Sequence, residues 1–243
     1  MPSIRISQQA GVRYLQFNPH WIQGAMRLAR PCALELDYTR DMMMPLLLRS
    51  GSGWPRSVLQ IGLGAGSITR FLHRYRPKTR LDVVEIDPEV VLNAWQFFGL
   101  PQESDRLNIE MADGYRYMAA TRRRFDLILV DGFDAHGRAG RLHTLPFYRF
   151  CRARLTDEGM MVTNLLSRRK GAKVNADPIR KAFDDRVQVL APCDANTVVI
   201  AKVGARIRVS LDELRASARE LRARTGLKLL PTIARLGSAD LLL

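Results

Sequence analysis

The sequence predicts an α/β protein with a seven-stranded doubly wound, Rossmann-like sheet of the methyltransferase type and a small β-rich N-terminal element. Three observations carry that expectation. The run VLQIGLGAG sets a four-residue buried strand (58–61) directly against Gly62, Gly64 and Gly66. A second hydrophobic strand, LDVVEID, ends on Glu85, roughly 20 residues past the glycines. Between residues 56 and 202, apolar strand-like runs then alternate with helix-like ones, the mark of a mostly parallel sheet with crossover helices.

In chain order, residues 1–45 contain short alternating stretches at 4–6, 12–17 and 33–36, broken by Gly11, by Asn18 and Pro19, and by Pro31. They read as a small β-rich element. From Asp41 a Met- and Leu-rich segment through Leu48 reads as the first core helix, its methionines as packing residues, ended by the stretch 51–55. Strands are expected at 58–61, 81–86, 107–111, 125–130, 159–165, 187–191 and 196–202. The last two are separated by a turn at Cys193, Asp194 and Ala195, too short for a crossover helix, so they should pair antiparallel. Ser210, with Glu213 three residues on, opens an amphipathic helix over 211–225 as a capping box. The expected division is 1–45, 46–205 and 206–243.

The glycines belong to a nucleotide-binding turn. Without side chains, the backbone can approach a ligand closely, and the helix starting near Ser67 aims its N-terminal N–H groups into the same space. The dinucleotide pattern G-x-G-x-x-G would need glycine at position 67, where this chain has Ser67. The G-x-G-x-G spacing suits a nucleoside with no pyrophosphate, such as S-adenosylmethionine or a relative. Glu85 is placed to accept both ribose hydroxyl protons. Asp113 can receive the adenine amine, and Gly114 leaves room for the ring. The fourth strand ends on Asp131, Gly132, Phe133 and Asp134. Carboxylates at the tip of a buried strand are costly unless paired or functional, which makes Asp131 the leading catalytic candidate. The glycine- and arginine-rich stretch 135–144 reads as a lid.

Composition bounds the remaining possibilities. The 243 residues carry 38 Lys and Arg against 24 Asp and Glu, a formal net charge of +14. Such a field attracts polyanions, so nucleic acid enters as a partner class. The charge is spread along the chain, however, and no aromatic residues interleave with it to stack bases. The triplets Arg122, Arg123, Arg124 and Arg168, Arg169, Lys170, and the helical Arg215, Arg219, Arg222 and Arg224, are read as solvated faces. No apolar run is long enough to span a bilayer and no signal pattern opens the chain, so a cytoplasmic location is expected. Cys32, Cys151 and Cys193 form no C-x-x-C pair and read as small core hydrophobes. His20, His73, His136 and His143 show no ligand spacing, so no metal is expected.

Together the motifs resemble the spermidine synthase family of polyamine aminopropyltransferases. The resemblance runs from about residue 12 to 201. Its pieces are VLQIGLGAGS for the glycine loop, VVEID for the ribose strand, MADG for the adenine site, LILVDGFD for the catalytic strand, and TLPFYRFCRARLTDEGMMVTN after it. Gln23, and Tyr38 with Met42, resemble the family's glutamine and its Y-x-E-M segment. The resemblance implies that Gln23, Glu85 and Asp113 hold the donor nucleoside. Asp131 would take the proton of the attacking amine, Tyr38 would assist it, and Asp134 would bind a cationic acceptor. It also implies a homodimer, with the N-terminal element contributing.

Departures accompany the resemblance. The family's G-G-G-D-G loop holds the donor's aminopropyl ammonium with its aspartate, where this chain has Ala65. Thr39 replaces the glutamine of Y-Q-E-M, and the following glutamate is displaced. Asn164, Leu165, Leu166 and Ser167 stand at the family's Q-x-E-S. Three readings follow: transfer of an aminopropyl group from decarboxylated S-adenosylmethionine to an amine, methyl transfer from S-adenosylmethionine, or a basic nucleic-acid-binding module on the same fold.

Overall fold

The computed structural model describes residues 4–18, 21–49, 53–134, 137–167, 174–236 and 241–242, with backbone alone at 18, 21, 241 and 242. The arginine triplet at 168–170 and the start of the expected lid at 135–136 lie outside the described residues.

The N-terminal element is a three-stranded antiparallel sheet in the order β1 (Arg5–Gln9), β2 (Val12–Asn18), β3 (Trp21–Arg27). The expected strand at 33–36 is absent, and β3 takes the third place. Gly24 weakens the strand pattern of β3, and the reason is contact: a Cβ there would lie 2.4 Å from the Cβ of Ala65 in the glycine loop. The expected helix over 41–48 is two short ones, α1 (Asp37–Asp41) and α2 (Pro45–Leu48). Pro45 lacks an N–H to continue the first helix and starts the second instead. The methionines between them, Met42, Met43 and Met44, are fully buried, as their packing role requires.

The main sheet has seven strands: β4 (Ser57–Ile61), β5 (Arg80–Glu85), β6 (Leu107–Met111), β7 (Phe125–Val130), β8 (Leu155–Leu166), β9 (Val187–Val189) and β10 (Asn196–Lys202). Their order is β6-β5-β4-β7-β8-β10-β9. The first five run parallel, while β10 lies antiparallel between β8 and β9, as the short turn before it requires. The central strands are apolar throughout, Val58, Leu59, Leu127, Ile128 and Leu129 being fully buried, because helices cover both faces. The crossover helices are α3 (Ser67–Tyr75), α4 (Pro88–Phe98), α5 (Gly114–Ala120), α6 (Leu145–Ala153) and α7 (Asp177–Ala182). Strand order reverses between β4 and β7, which opens a crevice at their carboxyl ends.

After a short strand β11 (Arg208–Val209), helix α8 (Leu211–Thr225) begins at Ser210 with the capping box in place and ends at Gly226. Helix α9 (Leu230–Ala234) follows, and β12 (Leu241–Leu242) pairs with β11. Leu214, Ala218 and Leu221 of α8 join the same apolar cluster as Met42 to Met44. Asp41, 2% exposed, accepts from Thr232 Oγ1 at 2.6 Å and pairs with Arg235, fastening α9 to α1.

Two composition-based expectations are refined. Arg123 is exposed, as a solvated face requires, and its guanidinium also holds the buried Asp82 at 2.5 and 2.6 Å, a bidentate pair that neutralises a carboxylate inside the sheet. Of the cysteines only Cys151 is a core residue, whereas Cys32 and Cys193 are half-buried.

Candidate active site

The crevice at the strand-order reversal is a cavity of about 640 Å3. The sequence motifs converge on it. Gln23, Tyr38, Gly62, Gly64, Glu85, Asp113, Gly114, Asp131 and Asp134 all line it, drawn from six separate segments of chain. Gly66 does not. It caps α3 in the left-handed conformation (φ +69°), so its contribution is to turn the chain into the helix.

The glycine loop is braced from below and from the side. Gln60, a polar residue in the central strand, donates to the Gly62 carbonyl at 2.8 Å and accepts from Thr69 of α3 at 2.8 Å. Gly62 has φ +89°, and a Cβ there would lie 2.3 Å from the carbonyl oxygen of Asp131. The loop and the tip of β7 therefore touch only because that position is glycine.

Each carboxylate has a distinct environment. Glu85, 8% exposed, accepts from the N–H groups of Leu63 (2.8 Å), Ile86 (2.8 Å) and Asp87 (3.0 Å). Burial raises its pKa, opposed by those three backbone donors. Besides facing the cavity, it ties the glycine loop to the end of β5, a role its sequence position did not announce. Asp113 caps α5 through Oδ1, which accepts from Arg116 N at 2.8 Å. Asp134 accepts from both the N–H and the Nε of Arg138, each at 2.9 Å.

Asp131 is half-buried, and its carboxyl faces two neutral partners. Burial pushes its carboxyl above the usual range, and hydrogen bonds from Asn164 and Tyr38 pull the other way. Asn164 Nδ2 donates to Asp131 Oδ1 at 2.9 Å. Burial, then the facing Asp131 carboxylate, holds the Tyr38 phenol well above its ordinary value, so it stays a donor. Asn164 is 3% exposed, and its own Oδ1 is buried with no partner among the described residues. The sequence marked it as a polar residue near the end of the apolar strand β8, standing at the family's Q-x-E-S, without showing that it meets Asp131. Leu142, from the 3-10 turn Gly140–His143, also lines the cavity and closes over Gly114 and Gly132. Ala65 is 2% exposed and packs with Leu15, Met26 and Phe98 beneath the N-terminal sheet.

Comparison with known proteins agrees with this architecture. The family model for the spermine/spermidine synthase domain matches residues 36–190. A polyamine aminopropyltransferase of Neisseria meningitidis serogroup A is 35% identical over 227 residues, covering 93% of this chain and 86% of the relative. The chain belongs to the spermine/spermidine synthase family. Among solved structures, a probable spermidine synthase from Corynebacterium glutamicum superposes with a TM-score of 0.74 at 21% identity, covering 90% of this chain and 83% of that one. Human Methyltransferase-like protein 13 in complex with SAH gives 0.65 at 24% identity, covering 79% and 93%. At those identities the two structures speak to the fold, which this family member shares with methyltransferases. Among the described residues, no group of three His, Cys, Asp or Glu is gathered as a metal site, and no helix is long and apolar enough to cross a membrane.

Proposed function

We propose that the protein is an aminopropyltransferase that carries the aminopropyl group of decarboxylated S-adenosylmethionine to an amine acceptor. The observation that carries the reading is Asp131. Its carboxylate lines the cavity at the tip of β7, against the glycine loop, with Tyr38 and Asn164 holding it in place. A protonated amine is no nucleophile. Asp131 takes the proton, and the nitrogen lone pair forms a bond to the aminopropyl carbon next to the sulfonium. The C–S bond breaks, and its electron pair leaves with sulfur as methylthioadenosine. A base placed in this way supplies about 10²- to 10⁴-fold in rate. Gln23, Glu85 and Asp113 hold the donor nucleoside, Gly62, Gly64 and Gly114 let it approach, and Asp134 stands at the acceptor side. No metal takes part in this scheme.

The choice of donor follows from charge. Four carboxylates line the cavity, and the cations among its described lining residues are Arg138, paired with Asp134, and Arg141. A donor without a carboxylate suits that field. The competing expectation, methyl transfer from S-adenosylmethionine, rests on Ala65, which leaves the donor's ammonium without a dedicated anion, but the relatives named polyamine aminopropyltransferases do not favour it. The aminopropyltransferase reading includes a homodimer to which the N-terminal sheet contributes and a cytoplasmic location.

The test is product formation. Incubation with decarboxylated S-adenosylmethionine and a panel of amines should release methylthioadenosine, and Asp131→Asn should lower turnover by about 10²-fold or more while leaving donor affinity intact. No methylthioadenosine with any amine, or an Asp131→Asn variant as active as the parent, would sink the proposal.

A further inference from the structure

Another cavity, of about 530 Å3, opens where the segment following β3 meets the C-terminal ends of α3 and α8, and it shares no described residue with the donor crevice. Its balance of charge is the reverse. Buried Leu34, Phe71 and Leu227 give it an apolar floor, and around them stand five cations, Arg30, Arg40, Arg74, Arg224 and Lys228, with Glu35 the one acid among the described lining residues.

Most of that positive charge is unanswered. Arg27, from outside the lining, holds Glu35 through its Nε at 3.1 Å and through its Nη2, so the acid has no charge left over for the cavity. Arg40 is turned to Asp37 and to the carbonyls of Leu34 and Glu35. Arg224 reaches Glu220 at 3.5 Å in an exposed pair, which is worth little. The side chains of Arg30, Arg74 and Lys228 have no partner among the described residues. Behind the lining, Arg76 is 8% exposed, and its Nε is buried without a partner among those residues. Burial, then the nearby Arg224, holds its guanidinium below the usual value. Helix dipoles account for part of the cluster, since Arg74 and Arg224 lie in the last turns of α3 and α8. They do not account for Arg30 and Lys228, which stand outside helices.

We infer that this cavity is a binding site for a small phosphate-bearing anion of several negative charges, separate from the donor site. Arg30, Arg74 and Lys228 supply free donors, and Arg224 exchanges a weak exposed partner for a stronger one. Guanidinium groups match phosphate oxygens two at a time, and an anion among them offsets the repulsion between Arg224 and Arg76. The volume is that of a small-molecule site. The charge is gathered about a concavity, which suits a compact anion better than an extended strand.

The experiment is calorimetric titration of the full chain with sodium tripolyphosphate and, separately, with orthophosphate. One tripolyphosphate should bind per chain, at least about tenfold more tightly than orthophosphate. Arg74→Gln and Lys228→Gln should each weaken tripolyphosphate by about tenfold, the loss of one charge-assisted hydrogen-bonding partner. Arg215→Gln removes a charge from α8 outside the cavity, where Arg215 pairs with Asp212, and should stay within about twofold of the parent. Absence of saturable binding would overturn the inference. So would an equal loss in Arg215→Gln, which would assign the binding to the general positive field. A DNA duplex whose affinity falls in Arg74→Gln while tripolyphosphate finds no site would overturn it too, in favour of a nucleic-acid surface. The titration contains neither donor nor amine, so its outcome is independent of the proposed reaction.

Discussion

At the scale of single residues, the acidity of Asp131 sets the expected pH behaviour. A base must be ionised to accept a proton, and burial holds this carboxyl above the ordinary carboxylate range. Activity is therefore lost as pH falls through that raised value, at a higher pH than an exposed aspartate would give. The Asn164 hydrogen bond favours the ionised form. Asn164→Leu should move the acid limb of the kcat/KM profile further up in pH, and a limb that stays put would show that Asn164 does not set the acidity of Asp131. The places of Glu85, Asp113 and Asp131 in the cavity lining were legible because each is a carboxylate at or just past the carboxyl end of a strand. Asn164 was harder to find, since a neutral amide carries no charge signal and its significance depends on β7 and β8 lying side by side.

Among elements, the least legible part of the fold is also the one that shapes the donor end. The pattern of β3 is interrupted by Gly24, and the interruption has a cause that only tertiary contact reveals: Ala65 occupies the space a side chain would need. The same contact accounts for Ala65 itself being enclosed by Leu15, Met26 and Phe98. Gly24→Ala puts a Cβ 2.4 Å from that of Ala65 and 2.7 Å from its backbone nitrogen. Overpacking of this kind costs about 1–3 kcal/mol, and relief by movement of the glycine loop weakens donor binding as well. A denaturant midpoint and donor affinity both equal to those of the parent would show that the loop and the N-terminal sheet are not coupled in this way. By contrast, β4 to β7 and α8 were readable almost to the residue. Their signals are local: apolar runs of strand length, and a Ser210–Glu213 cap whose partners are three residues apart.

For the whole molecule, the sequence pattern gave the strand count and the final antiparallel pair. The order of the strands came from three dimensions, where β4 and β7 sit together and open the crevice. The net charge of +14 is what remains after pairs such as Arg123 with Asp82, Arg235 with Asp41 and Arg138 with Asp134 have cancelled. Locally, then, four carboxylates line the crevice of a protein whose overall field is positive. That contrast bears on the donor. The α-carboxylate that distinguishes S-adenosylmethionine from its decarboxylated form enters a lining with Arg138 already paired and Arg141 stacked on Tyr115. Calorimetric titration of the full chain with each donor in turn puts the central claim to its most direct test. The account predicts tighter binding of decarboxylated S-adenosylmethionine by about tenfold, the ratio that 1.4 kcal/mol of differential charge interaction gives, whereas tighter binding of S-adenosylmethionine itself would contradict it.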